Sequence, residues 1–200
     1  MSSSSTRPPS STSPTADDLS ASREERALRV FFALVPPPQL AQSLGALARD
    51  VARRARGRPV PAEDVHLTLA FVGAWPLARL PELLDTGAQL RGAPIELALD
   101  TLGGFRRAGV AWIGAATASP LTALVTSLAT PLASAGVALE HRPLAPHVTL
   151  ARKCRGPYPD ERVAPFTWRA DAVTLLESQT RAEGARYRAI ACWPLAQSAR

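Results

Sequence analysis

The sequence is poor in lysine, in cysteine and in long apolar runs. Lys153 is the only lysine among 23 basic residues, and the two cysteines, Cys154 and Cys192, form no Cys-x-x-Cys pair. This cysteine usage indicates neither a disulfide framework nor a zinc site. No apolar stretch approaches the roughly 18 residues that a membrane helix needs, and the N-terminus lacks the apolar region of a signal peptide. We therefore expect a soluble, cytoplasmic protein.

Length and charge narrow the class further. Two hundred residues are enough for one domain or for two small lobes that share a core. The net charge of +6 and the pI near 10.5 favour an acidic partner, with nucleic acid as the first candidate. Residues 1–26 begin as a Ser/Thr/Pro tract, which predicts a disordered tail without a catalytic part. The folded domain is predicted over residues 27–200.

A His-x-Thr-Leu motif occurs twice, at residues 66–69 and 147–150. Each copy lies in a short apolar run, 65–72 and 147–151, that predicts a buried strand. Because side chains alternate along a strand, the His and Thr of each copy point to one face. Two such strands facing one another would bring two imidazoles and two hydroxyls, those of His66, Thr68, His147 and Thr149, into one pocket. Such a pocket suits a phosphate.

The order of predicted elements also repeats. A strand at Val30 and a helix precede His66 by 36 positions, and a strand at Val110 and a helix precede His147 by 37. This spacing predicts an α+β fold of two pseudo-symmetric lobes, each an antiparallel sheet backed by helices, with the site in the cleft between them. The predicted strands are 29–35, 65–72, 95–102, 110–117, 147–151, 166–176 and 185–193; the predicted helices are 38–55, 76–90 and 120–135; residues 103–109 and 153–165 are predicted as loops.

A pair of histidines around a phosphodiester is suited to general acid–base catalysis. One neutral imidazole can take a proton from the attacking water or hydroxyl while the other, protonated, gives one to the departing oxygen. In-line displacement needs base and acid on opposite walls, which duplicated lobes supply. The threonine hydroxyls can donate to the non-bridging oxygens. A single His-x-Thr is usually structural, so the hypothesis depends on the paired occurrence.

Other readings of the same residues remain open at this point. The two motif histidines and Asp64 could make part of a metal shell, but no further His, Cys or carboxylate cluster completes it, so we expect no metal and no cofactor. The third histidine, His141, is assigned a surface or structural role. Arg152 follows His147 by five residues and lies on the opposite face if the strand is regular, although a bulge could return it to the phosphate.

Arginines and aromatic residues offer weaker candidates for substrate contact. Near the end of the first helix, Arg53, Arg54, Arg56 and Arg58 either form a solvated helix terminus or contact RNA phosphates at the mouth of the site. Five aromatic residues could stack on a base, although core packing is the alternative for most of them; they are Phe105, Trp112, Tyr158, Trp168 and Tyr187. Phe105, in a Gly-flanked segment, is the preferred candidate.

Residues 66–73 and 146–152 resemble the paired motifs of the two-histidine phosphoesterases. More narrowly, they resemble those of the bacterial RNA 2′,3′-cyclic phosphodiesterase family, historically called 2′–5′ RNA ligases. Other segments resemble the same family, and the likeness runs from about Arg29 to Leu195; these segments are 29–34, 103–105, 112–114, 176–178, 184–187 and 193–195.

The resemblance implies a bilobal α+β fold and metal-independent conversion of RNA 2′,3′-cyclic phosphate ends to 2′-phosphomonoesters. It implies that His66 is the proton donor to the 3′ oxygen and that His147 activates water. It also implies a phosphate contact for Arg152 and a weak reversible 2′–5′ ligation. We expect a monomer and infer no obligate protein partner. Two alternatives stay open: a phosphodiesterase of a small cyclic nucleotide or ADP-ribose cyclic phosphate, and a non-catalytic module that binds RNA ends.

Overall fold

A computed structural model describes residues 26–116, 119–139, 144–182 and 184–196. His141 and nearly all of the predicted tail lie outside the described residues. The described residues form nine strands: β1 (Ala27–Leu34), β2 (Arg58–Pro59), β3 (Leu67–Pro76), β4 (Ile95–Phe105), β5 (Val110–Ala115), β6 (His147–Arg152), β7 (Glu161–Ala170), β8 (Ala172–Arg181) and β9 (Gly184–Pro194). The same residues form three α-helices: α1 (Pro38–Arg54), α2 (Leu80–Ala88) and α3 (Ser119–Ser134).

One antiparallel sheet runs through the molecule in the order β7-β4-β5-β6-β3-β1-β8-β9, and β2 pairs with β6 off this path. The order is symmetric about its centre, because the two motif strands β3 and β6 lie side by side with β1 and β5 outside them. Strands β3 and β6 are joined by one residue pair in register, Leu67 with Val148. The predicted α+β class and the pairing of equivalent units are confirmed.

Helices α1 and α3 each cross to the other half of this sheet, whereas α2 contacts helix α3 and, in its own half, β9. Helix α1 begins with a proline in its first turn, follows the strand-ending run Pro36–Pro38, and packs on β6. Helix α3 buries Leu121, Leu124, Leu128 and Leu132 at helical spacing and contacts β3. Leu67 and Val148, both fully buried, lie in the core between the helices and the sheet. Because α1 packs on β6 and α3 packs on β3, these two helices hold the two halves of the sheet together beneath the motif strands.

Several predicted boundaries were wrong, and one of them is the end of the predicted loop 153–165, because β7 begins at Glu161. Residues 103–105 continue β4 rather than opening a loop, since Gly103 and Gly104 let the rings of Trp112 and Tyr158 pack against the strand. The predicted strand 166–176 is two strands that meet at Asp171. The predicted helix 76–90 starts only at residue 80, after the end of β3 and a 3-10 turn over residues 77–79.

Truncation of the buried residue that joins the halves should be costly. We expect Leu67→Ala to lower the free energy of unfolding by about 2–5 kcal/mol, because the cavity would lie under the junction of β3 and β6. Val35→Ala is the control, since Val35 is 43% exposed and its truncation should change the free energy by less than about 0.5 kcal/mol. Urea denaturation followed by circular dichroism measures both; equal losses would contradict this account of the core.

Candidate active site

The first motif histidine is held at the start of β3 by its own backbone. The Nδ1 atom of His66 donates a hydrogen bond of 2.8 Å to the carbonyl oxygen of Asp64, two residues earlier. With the proton assigned to Nδ1 on this bond, Nε2 carries the lone pair in the neutral ring. His66 is 9% exposed, and its ring contacts two aromatic rings, with centroid distances of 4.9 Å to Phe31 and 4.6 Å to Tyr187.

The second motif histidine is held in the same way. The Nδ1 atom of His147 donates a hydrogen bond of 2.8 Å to the carbonyl oxygen of Ala145, again two residues earlier. Its ring is half-buried, with centroid distances of 5.0 Å to Phe105 and 6.2 Å to Trp112. Both histidines are thus fixed as the same tautomer, and each presents Nε2 as its reactive atom.

The register between the motif strands places the four polar residues on one face. Leu67 and Val148 pair directly and point into the core, so their neighbours in each strand point to the opposite side of the sheet. We call this side the histidine face; it carries His66, Thr68, His147 and Thr149. Within the described part of the chain, neither threonine hydroxyl has a hydrogen-bond partner in the protein, and both side chains are half-buried.

Burial and positive charge make both imidazoles weak bases. The pKa of His66 is lowered to about 4, chiefly by burial; the bond to Asp64 opposes this shift, and the charges of Arg152 and His147 contribute to it. Burial lowers the pKa of His147 as well, and the charge of Arg152 adds to that shift. Arg152 therefore lies near both rings. An anion bound between them would restore the proton affinity of both.

A β-bulge explains how Arg152 reaches the histidine face. The register between β5 and β6 runs from Trp112–Thr149 to Ala111–Ala151, so β6 contains one extra residue, Leu150. Leu150 and Ala151 are both fully buried, and the alternation is reset after them. The strand is therefore not regular, and the alternative considered for Arg152 applies, in which a bulge returns its side chain to the face of the motif histidines. The Arg152 side chain is exposed, and its Nη2 atom donates to the hydroxyl of Tyr187 at 3.4 Å.

The same bulge occurs after the first motif, with a different outcome. The register between β1 and β3 passes from Ala33–Thr68 to Phe32–Ala70, which inserts one extra residue at Leu69. Phe71 then returns to the histidine face at the position equivalent to Arg152, with 46% of its surface exposed. The guanidinium of Arg29 lies 4.7 Å from the centre of its ring. The pseudo-symmetric site is therefore cationic at one end and aromatic at the other.

Asp64 and Tyr187 both border the site, although Asp64 was considered only as a metal ligand and Tyr187 only as a residue that stacks on a base. The buried Asp64 carboxylate, 3% exposed, accepts a hydrogen bond of 3.1 Å from the backbone N–H of Tyr187 and one of 2.9 Å from Arg186. It thus ties β9 to the turn before His66. Only the long sequence separation hides this contact, since no local pattern links residue 64 to residue 187.

The remaining candidates divide between the site and the structure around it. Phe105 lies against His147 and is 39% exposed, whereas Trp168 is 2% exposed in the core. Tyr158 donates to the carbonyl of Cys154 at 2.8 Å, beside β4. Trp112 packs over Gly103. No three His, Cys, Asp or Glu side chains gather into a metal-binding group within the described ranges.

Two of the arginines near the end of α1 pair with carboxylates and are therefore not free to contact a phosphate. Arg53 pairs with Asp50 at 2.8 Å, and Arg54 pairs with Glu161, as expected for a solvated helix terminus. Arg58 pairs in register with Arg152 across β2 and β6, so it borders the site. Of the helices in the part of the chain that the structure describes, none is long and apolar enough to cross a membrane.

Comparison with known proteins supports one family. The LigT-like phosphoesterase family model matches residues 34–112. A Thermus thermophilus protein named RNA 2′,3′-cyclic phosphodiesterase is 31% identical over 175 residues, which cover 80% of this chain and 86% of that protein. A Geobacillus stearothermophilus protein of the same name is 38% identical over 105 residues, half of this chain but 33% of that longer protein.

A solved structure gives the same answer for the fold. The crystal structure of Escherichia coli LigT complexed with 3′-AMP superposes with a TM-score of 0.75 and 27% identity, covering 86% of this chain and all of that one. The sequence identity, the superposed fold and the paired histidines all indicate the same family. The chain belongs to the LigT-like phosphoesterase family.

Proposed function

We propose that the protein hydrolyses RNA 2′,3′-cyclic phosphate ends to 2′-phosphomonoesters, without a metal ion. The observation that carries this proposal is the matched pair of histidines, each fixed through Nδ1 to a carbonyl two residues earlier and each presenting Nε2 on the same face. The relatives named RNA 2′,3′-cyclic phosphodiesterase support the substrate class. The basic composition agrees with an RNA substrate.

In the proposed reaction, water attacks phosphorus from the His147 side. The Nε2 atom of His147 takes a proton from the water as the new P–O bond forms. The bond from phosphorus to the 3′ oxygen breaks on the opposite side, and that oxygen takes a proton from Nε2 of protonated His66. The phosphate remains on the 2′ oxygen. The assignment of acid and base follows the family resemblance, because the two Nδ1 contacts are equivalent.

The other polar groups of the histidine face would stabilise the charge that develops on phosphorus. Thr68 and Thr149 each offer a hydroxyl without a protein partner among the described residues, so each can donate to a non-bridging oxygen. Arg152, whose charge already acts on both imidazoles, would neutralise the same oxygens. Phe105, edge-on to His147, is proposed to contact the substrate on the attack side.

Replacement of either motif histidine should abolish most of the activity. We expect His66→Ala and His147→Ala each to lower kcat on an oligoribonucleotide 2′,3′-cyclic phosphate by about 100-fold or more, since each removes one proton transfer. The third histidine offers a matched control, and His141→Ala should retain the wild-type rate. Assays are run in EDTA. Full activity in either motif variant, or complete loss of wild-type activity with the chelator, would contradict the mechanism.

The bell-shaped pH profile of kcat/KM should be centred at a lower pH than the ordinary histidine pKa of 6.5. Because both histidine pKa values are lowered from 6.5, with that of His66 at about 4, the bell should rise near pH 4 and be centred below pH 6.5. Arg152→Gln removes a nearby positive charge, so both pKa values should rise and the bell should move to higher pH. An initial-rate profile at substrate concentrations well below KM measures this shift. A wild-type bell centred above pH 6.5, or a move to lower pH in the variant, would refute the cause given.

A further inference from the structure

A cationic cleft adjoins the histidine face at the end where His66 lies. It has a volume of about 180 Å³ and lies between the β2–β6 edge and the turn that joins β8 to β9. Its charged lining residues are Arg58, Arg152, Lys153 and Arg186, with Tyr187 at the inner end. We propose that this cleft binds the phosphate group on the 5′ side of the terminal nucleotide, so that the enzyme recognises two successive phosphates.

The cleft and the histidine face share two side chains. Tyr187 lines the cleft while its ring lies edge-on to His66, at 4.6 Å between centroids. Arg152 lines the cleft as well, and its charge acts on both histidines. A ligand that extends from phosphorus past His66 therefore enters the cleft directly. The ribose of the leaving 3′ oxygen lies on that side if His66 is the acid, so this inference rests on the proposed function.

The basic side chains that line the cleft outnumber the carboxylates that pair with them. Arg186 is held by Glu63 and Asp64, both at 2.9 Å, and is thereby fixed in place. Arg152 donates to the neutral hydroxyl of Tyr187, and Lys153 has no ion pair within the described residues. At least two positive charges thus face the cleft without a carboxylate on them, which favours an anion such as a phosphodiester.

The backbone around the cleft brings basic residues together at some cost. Arg58 and Arg152 are direct partners across the β2–β6 pair, an arrangement in which like charges repel. Lys153 follows with a left-handed φ of 55°, a conformation that non-glycine residues rarely adopt. A bound phosphate would offset this repulsion. An apolar floor contributed by Pro59 leaves the cations as the main recognition groups.

A kinetic comparison isolates the second phosphate. We expect wild-type kcat/KM to be about tenfold or more higher for 5′-phosphoadenosine 2′,3′-cyclic phosphate than for adenosine 2′,3′-cyclic phosphate, mainly through KM. Lys153→Met and Arg58→Met should bring this ratio toward one. Arg169→Met is the matched control, because Arg169 pairs with Glu96 at 3.2 Å on the far edge strand and its loss removes the same charge. A wild-type ratio near one, or an unchanged ratio in both cleft variants, would overturn the proposal.

The only lysine of the chain gives a binding test that does not depend on turnover. Reductive methylation with ¹³C-formaldehyde keeps the lysine charge and labels Lys153 and the N-terminal amine, and the Lys153→Arg variant assigns the two signals. Adenosine 2′,5′-bisphosphate should shift the Lys153 signal far more than adenosine 2′-phosphate does. Equal shifts would refute the second subsite. If the bisphosphate shifts the signal but no cyclic phosphate is hydrolysed, the proposed reaction fails and the cleft assignment stands.

Discussion

The antiparallel pair formed by Leu67 and Val148 sets the position of every group in the site. These two residues are fully buried, and their pairing turns the histidine and threonine on either side of each to the opposite face. Helices α1 and α3 pack beneath them from opposite halves of the chain. A shift of one residue at this junction would send the imidazoles into the core. The arrangement of the histidines and threonines therefore depends on a hydrophobic contact rather than on a polar one.

Around this junction the two halves of the site share the backbone contacts that hold the histidines, but they differ in the side chains that surround them. Each histidine donates Nδ1–H to a carbonyl two residues earlier, and each motif is followed by a bulge. The additions differ, because the equivalent positions after the bulges hold Arg152 and Phe71. Asp64, which anchors Tyr187, has Ala145 as its counterpart. These differences make one end of the site cationic and the other aromatic.

The central part of this arrangement could be predicted from the sequence, because it is encoded locally. Alternation within residues 66–69 and 147–150 is enough to place the histidines and threonines on one face. The position of Arg152 could not be predicted by spacing, since the bulge at Leu150 depends on pairing with β5. The contact of Asp64 with Tyr187 was hidden for a related reason. It joins residues 123 positions apart, and only the folded sheet brings them together.

The central claim is that both Nε2 atoms act on one phosphorus atom from opposite sides, and a crystal structure with a uridine–vanadate complex tests it most directly. The account predicts a trigonal-bipyramidal vanadium whose two apical oxygens each lie within about 2.6–3.2 Å of one histidine Nε2, one oxygen for each ring. It would be contradicted by a complex in which only one of the two rings, His66 or His147, approaches the vanadium oxygens.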